Sequence, residues 1–251
     1  MNVKHFFFGL CLAFTAHAQI VVFQSPARQT SLLELYTSEA CSSCPPAESW
    51  LSGLKSSPGL WADFVPVAFH VNYWNHLGWR DKWSSQQYTD RQQSYATAWG
   101  SETIYTPEFV LNGKEWHNWM GLRGAPGPTA IQAGILTVSS ESTNRWRVIF
   151  TPATSGRAAY EVSAALLDSD VSSDVKAGEN QGRHLNHDFA ALTLVNQPLA
   201  AKADGYSAEF TLDPGPMAAN GRLALAVWVS RAGELEPLQA VGGWLPKPAG
   251  N

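Results

Sequence analysis

Leu32-Leu33-Glu34-Leu35-Tyr36-Thr37-Ser38-Glu39-Ala40-Cys41-Ser42-Ser43-Cys44-Pro45-Pro46-Ala47-Glu48-Ser49-Trp50-Leu51 is the stretch on which the reading of the fold turns. Its apolar opening, Leu32 to Tyr36, has the pattern of a buried strand and runs into a turn over Thr37 to Ala40. Pro45 and Pro46 cannot sit in a helix interior but suit a first turn, and Ala47 to Leu51 with Leu54 supply helical spacing up to Gly59. A Cys-x-x-Cys pair therefore falls between a strand and the start of a helix.

Working downstream, Phe64-Val65-Pro66-Val67-Ala68-Phe69-His70-Val71 predicts a second strand, with Pro66 tolerated near its start. An aromatic stretch with Tyr73, Trp74, Trp79 and Trp83 follows. Tyr88, Gln92, Tyr95 and Trp99 then recur at helical steps before Gly100. Asn112-Gly113, flanked by Glu108-Phe109-Val110-Leu111 and Lys114-Glu115-Trp116, is a strong hairpin signal. Pro128 to Val138 reads as a helix. Residues 19–140 are thus expected to form an α/β unit, a mixed sheet with helices and a helical insert. From Trp146 the texture changes to strand-like runs at 147–150, 160–165, 191–195, 206–212 and 223–229. These predict a smaller, β-rich, sandwich-like domain over 145–246, joined by a linker at Ser139 to Asn144.

Working upstream, Lys4 and His5 precede an apolar run from Phe6 to Phe14, and Ala16-His17-Ala18 has the small-x-small pattern of a cleavage site. Residues 1–18 read as a signal peptide, and the run is well short of the roughly 20 residues a spanning helix needs. The expectation is a periplasmic or secreted protein with no stable membrane anchor after cleavage. Cys11 would leave with the leader, so Cys41 and Cys44 remain the mature chain's two cysteines, in a compartment where disulfides persist. The net charge of -4 and the lack of a Lys/Arg cluster argue against nucleic acid and anionic membranes as partners.

At a helix N-terminus the unpaired amides and the dipole favour the thiolate of Cys41, which then acts as nucleophile, while Cys44, one turn on, resolves the mixed disulfide. The other readings are a structural bridge, which closes too short a loop to add much by chain entropy, and half of a zinc site, for which histidines would have to supply the rest.

The strand, Cys41-Ser42-Ser43-Cys44-Pro45-Pro46 and Tyr105-Thr106-Pro107 resemble a thioredoxin-like domain. More closely, Glu34-Leu35-Tyr36-Thr37-Ser38, Phe69-His70-Val71-Asn72-Tyr73-Trp74, Leu77-Gly78-Trp79-Arg80-Asp81, Arg91-Gln92 and Tyr105-Thr106-Pro107 resemble the secreted bacterial family called domain of unknown function 1223. That resemblance runs from Leu32 to Gly113 and continues weakly through Gly178-Glu179-Asn180 with Gly182. It implies a thioredoxin-like fold, with Pro107 in the cis form beside the dithiol and the Thr106 backbone free to pair with an extended substrate. It also matches Glu34, offset by one residue of turn, to the buried acid that accepts the resolving cysteine's proton. Two serines stand between the cysteines where thioredoxins usually carry a proline.

Eight of the eleven tryptophans fall between Trp50 and Trp119, a density that fits core packing, with Trp74 and Trp79 as candidates for lining a substrate groove. The leading function is a thiol–disulfide oxidoreductase acting on protein or small-molecule thiols and disulfides, with Cys41, Cys44, Pro107 and Glu34 catalytic and no dissociable cofactor. The alternatives are a copper-binding protein holding Cu(I) through Cys41, Cys44 and His70, and a non-enzymatic binding protein with a dormant disulfide. A hydrogen-bonded core histidine is the plainer reading of His70; His184 and His187 read as loop residues.

Overall fold

In the computed structural model, which describes residues 20–121, 124–142, 144–203, 205–213 and 221–246, strands dominate. They are β1 (Val22–Gln24), β2 (Ser31–Thr37), β3 (Phe64–His70), β4 (Glu108–Leu111), β5 (Lys114–Glu115), β6 (Gly134–Ser140), β7 (Arg145–Pro152) and β8 (Tyr160–Ser169). There follow β9 (Val171–Asp174), β10 (His184–His187), β11 (Ala190–Pro198), β12 (Ala200–Lys202), β13 (Gly205–Thr211), β14 (Arg222–Arg231) and β15 (Pro237–Trp244). The α-helices among the described residues are α1 (Pro45–Gly53) and α2 (Gln86–Trp99). The expected leader lies outside the described residues, and no described helix is long and apolar enough to cross a membrane.

The expected fold, a thioredoxin-like α/β domain followed by a smaller β-rich one, is overturned. Among the described residues strands far outnumber helical ones, and α1 and α2 are too few to cover the sheets throughout as that fold requires. One eight-stranded sheet, ordered β15-β14-β8-β11-β3-β2-β4-β5, takes strands from both halves of the chain. The physical reason lies in β8 and β14, which are buried on both faces. Ala165, Leu167, Ala224, Ala226 and Trp228 pack into the core shared with β2 and β3. Their neighbours Ala164, Leu166, Leu225, Val227 and Val229 pack into a second core under the sheet β1-β6-β7-β13-β12. Each core needs the same strands as its wall.

The helix expected over Pro128 to Val138 is also replaced, by β6 from Gly134, in which Leu136 and Val138 are buried while Ile135 faces outward. Period-two burial of β-branched and aliphatic residues suits a half-buried strand better than a helix. Of the linker expected over Ser139 to Asn144, Ser139 and Ser140 close β6, and β7 begins directly beyond it at Arg145.

β2 lies between β3, parallel to it, and β4, antiparallel, in the register Glu34↔Val67 and Glu34↔Val110. Pro66 fits because Ala68, two residues on, donates its N–H to Phe189 at 2.8 Å. The missing N–H of Pro66 thus points to the edge where β11 pairs only at Ala190↔Ala68, and the ladder to β2 is unaffected. The Asn112-Gly113 turn joins β4 to β5 with both residues at positive φ, 48° and 78°. That geometry needs residues that tolerate the left-handed region.

Candidate active site

β2 delivers Thr37, Ser38 and Glu39, all fully buried, to the foot of the cysteine turn, and α1 begins directly after Cys44. Cys41 and Cys44 are joined in a disulfide with Cα atoms 5.5 Å apart. The helix start offers fewer donors than a usual N-terminus. Pro45 and Pro46 have no N–H, and Ala47 donates to the Cys44 carbonyl at 2.9 Å. The hydroxyl of Ser43 fills part of that gap: its Oγ is 3.3 Å from Cys41 Sγ and 3.4 Å from the Thr106 carbonyl oxygen, within reach of either. The Thr106–Pro107 bond is cis, and the Thr106 carbonyl oxygen lies 3.8 Å from Cys41 Sγ. Trp74 Nε1 donates to Thr106 Oγ1 at 2.8 Å, holding that segment in place.

The turn is roofed from the second half of the chain by the connection between β9 and β10. Glu179 Oε2 accepts from both the N–H of Ser42 (2.9 Å) and its hydroxyl (2.7 Å). These bonds pull its carboxyl below the ordinary range. Asn180, fully buried, donates through Nδ2 to the carbonyls of Glu39 and Cys41, at 2.9 and 2.8 Å. Gly178, at φ 78°, permits the close approach, since a Cβ there would lie 3.3 Å from Ala40 Cβ. Cys41 is in consequence only 1% exposed.

Below the turn sits a closed polar cluster. His187 bonds through Nδ1 to Glu48 and through Nε2 to Glu39 at 3.1 Å. Glu48, in the first turn of α1, also accepts from Thr37 Oγ1 at 2.6 Å. His70 Nδ1 meets Asp81 Oδ2 at 2.7 Å, while His70 Nε2 is buried without a partner. Trp83 covers both rings, its own ring 4.6 Å from that of His187 and 5.7 Å from that of His70. Burial alone would strip His187 of its charge, but Glu48 and Glu39 outweigh it and raise its pKa to about 10. His70 is raised in the same way, against burial, by Asp81. Burial pushes Glu48 and Asp81 up, and the imidazoles override it to leave both carboxyls low.

A family model described as a protein of unknown function, DUF1223, matches residues 32–230. The chain belongs to DUF1223. Two solved structures resemble the fold of this DUF1223 protein. One is an X-ray structure of an Agrobacterium tumefaciens protein, 22% identical, covering 90% of this chain and 98% of its own, with a TM-score of 0.58. The other is HBP35 of Porphyromonas gingivalis, 13% identical, covering 89% of this chain and 77% of its own, with a TM-score of 0.57. No curated protein matches the sequence.

In the DUF1223 chain the structure gathers Cys41, Cys44, Thr106, Pro107 and Trp74 around one point. Trp79 sits one step away, donating from Nε1 to Glu39 Oε2 at 2.7 Å. Glu34 is held elsewhere. It pairs with Arg91 at 2.7 and 3.1 Å and accepts from Tyr36 and Tyr95 at 3.0 and 2.7 Å. Because strand residues alternate, Glu34 and Tyr36 share the face covered by α2, opposite the face on which Thr37 meets Glu48. His70 joins Glu48 and His187, whose ligand atoms all lie within 4.8 Å of one another. His184 and His187 both lie in β10 and not in a loop: His187 is a buried member of that cluster, and His184 is exposed and pairs with Asp174. Glu39, Glu48, Asp81, Glu179 and Asn180 carry no role in the sequence reading. Glu48 is the one with a usable signal, a carboxylate four residues beyond Cys44 and so on the same helix face.

Proposed function

We propose that this DUF1223 protein is an exported thiol–disulfide oxidoreductase working through Cys41 and Cys44 on protein or small-molecule thiols. The carrying observation is the pairing of these two cysteines at the start of α1, with the Ser43 hydroxyl and the Thr106 carbonyl both against Cys41. In the reducing direction the Cys41 thiolate attacks a substrate disulfide and the first substrate thiolate leaves with the proton shed by Cys44. The Cys44 thiolate then attacks Cys41 Sγ and expels the second substrate thiolate. The protein ends as the disulfide and the substrate has gained two electrons; run backwards, the same steps oxidise a dithiol. Thr106 presents backbone beside Cys41 for an extended segment to pair with. Since Cys41 is buried, the Ser42–Glu179 contact opens before a substrate enters.

The test is to measure the dithiol's equilibrium with glutathione and to look for mixed disulfides in a Cys44→Ser variant. Trapped partners bound through Cys41 support the reading. A bridge that neither exchanges with glutathione nor traps a partner refutes it.

A further inference from the structure

The polar cluster beneath the cysteine turn is more elaborate than thiol exchange requires, and one atom in it lacks any partner. His70 is fully buried, and its Nε2 meets no donor or acceptor while its Nδ1 bonds to Asp81. Buried polar atoms are paired in the great majority of cases, so an orphan of this kind calls for an explanation. With Nδ1–H donated to Asp81, Nε2 becomes the ligating nitrogen once an incoming ion displaces its proton, the arrangement found in metal-ligating imidazoles.

We propose that Glu48, His70 and His187 form a binding site for one divalent transition-metal ion of the zinc class. The three ligand atoms lie within 4.8 Å of one another. Ligand atoms held at roughly 2.1 Å by a tetrahedral zinc stand about 3.4 Å apart, so side-chain shifts of about an ångström, with His187 and Glu48 spreading, would bring all three into range. His187 is set up as His70 is. Its Nε2 faces the Glu39 carboxylate at 3.1 Å, which directs Nδ1 toward Glu48. An ion there would take the place of the proton shared by Nδ1 and the Glu48 oxygen, and the two atoms would move apart to hold it.

Each ligand also has its outer partner. Asp81 backs His70, Glu39 backs His187, and the Thr37 hydroxyl backs Glu48. The outer carboxylates are themselves fixed, Asp81 by the N–H groups of Glu39 and Trp83 and Glu39 by the Trp79 indole. This second layer of orientation is characteristic of metal sites. Among the described residues no lysine or arginine pairs with Glu39, Glu48 or Asp81, whose charge is met by the two imidazoles, and a divalent ion would take over that role as it displaces their protons. Two imidazoles with one carboxylate suit zinc, which takes nitrogen and oxygen ligands together. The site is distinct from any set that includes the cysteines, and it stands whether or not the thiol-exchange reading holds.

The experiment titrates Zn2+ and Co2+ into metal-stripped full-length protein with its disulfide intact, against a chromophoric chelator, and repeats this with Cys41→Ser/Cys44→Ser. One equivalent should bind in both. His70→Ala should lose at least a hundredfold in affinity, and Asp81→Asn should lose about ten- to a hundredfold through the imidazole it orients. Glu48→Gln, close to the parent in shape, serves as a second ligand variant should His70→Ala unfold by circular dichroism. The Co2+ spectrum should show four- or five-coordinate nitrogen and oxygen ligation without a thiolate charge-transfer band. The proposal is overturned if neither ion binds stoichiometrically, if binding disappears in the double-serine variant, or if folded Glu48→Gln and Asp81→Asn proteins bind as tightly as the parent.

Discussion

Replacing Glu108 by glutamine should stabilise the protein above neutrality and leave it unchanged in acid. Glu108 opens β4 directly after the cis-proline and is 4% exposed. Burial, with the negative charges of Glu115 and Glu34 adding to it, raises its carboxyl from 4.5 to about 7, against a bond from Gln92 Nε2 at 2.5 Å. In the unfolded chain the group loses its proton near 4.5. Between that pH and about 7 the folded state holds one more proton than the unfolded state, so its contribution to stability falls as pH rises through the window. The difference of about 2.5 pK units is worth about 3 kcal/mol as a ceiling, and about 2 kcal/mol once residual solvent screening of the carboxyl is allowed for. Glutamine can accept the same bond from Gln92 and carries no charge to bury. The variant should therefore melt about 4–8 °C above the parent at pH 8 and together with it at pH 4. Thermal melts of both proteins at half-unit steps from pH 4 to pH 8 decide the matter. A gap that is constant with pH, or one that favours the parent at pH 8, would refute the assignment of the shifted carboxyl to Glu108.

Arg91→Met should cost about 3–5 kcal/mol in urea unfolding because it leaves the buried Glu34 carboxylate unpaired, and the double variant Glu34→Met/Arg91→Met should recover most of that loss. Trp228→Ala, at a fully buried position of β14, should cost about 3–5 kcal/mol and lower a single calorimetric transition, because both cores share that strand; two transitions that separate would contradict the shared sheet. Glu179→Ala frees the N–H and hydroxyl of Ser42, and reduction of the disulfide by dithiothreitol, followed by thiol release, should speed up about two- to fivefold.

Much of the local structure was legible because it rests on short-range rules. The apolar run before the cysteines, the prolines after them, the Gly100 cap of α2 and the Asn112-Gly113 turn each fix their own geometry, and all appear as elements in the structure. Tyr105-Thr106-Pro107 was legible by resemblance alone. The five strand runs expected in the second half are strands, yet their partners were not legible. Leu223 to Val229 has no alternation, the sign of a strand buried on both faces. Nothing local in that run says that one of those faces belongs to the core of β2 and β3. The polar cluster was hidden for a related reason. Glu39 and Glu48 lie on either side of the cysteines, but a carboxylate's burial depends on what covers it, and here the cover is His187, 139 residues from Glu48.

That cover depends on a single point of sheet registry. β11 touches β3 at Ala190↔Ala68, two residues before His70 on one strand and three residues after His187 on the other. That pair fixes where β11 starts on β3, and the bend just before it, with Phe189 at φ 57°, turns the chain back so that His187 lies beside His70, ring centroids 5.1 Å apart, and β10 runs alongside α1 within reach of Glu48. The turn between β9 and β10 then lies over Ser42 and places Glu179 and Asn180 on the cysteine turn. Thus the parallel contact that joins the two halves of the sheet also builds the cluster below the disulfide and the roof above it. Residues 32–230, the span matched by the family, include every strand and loop that this construction uses.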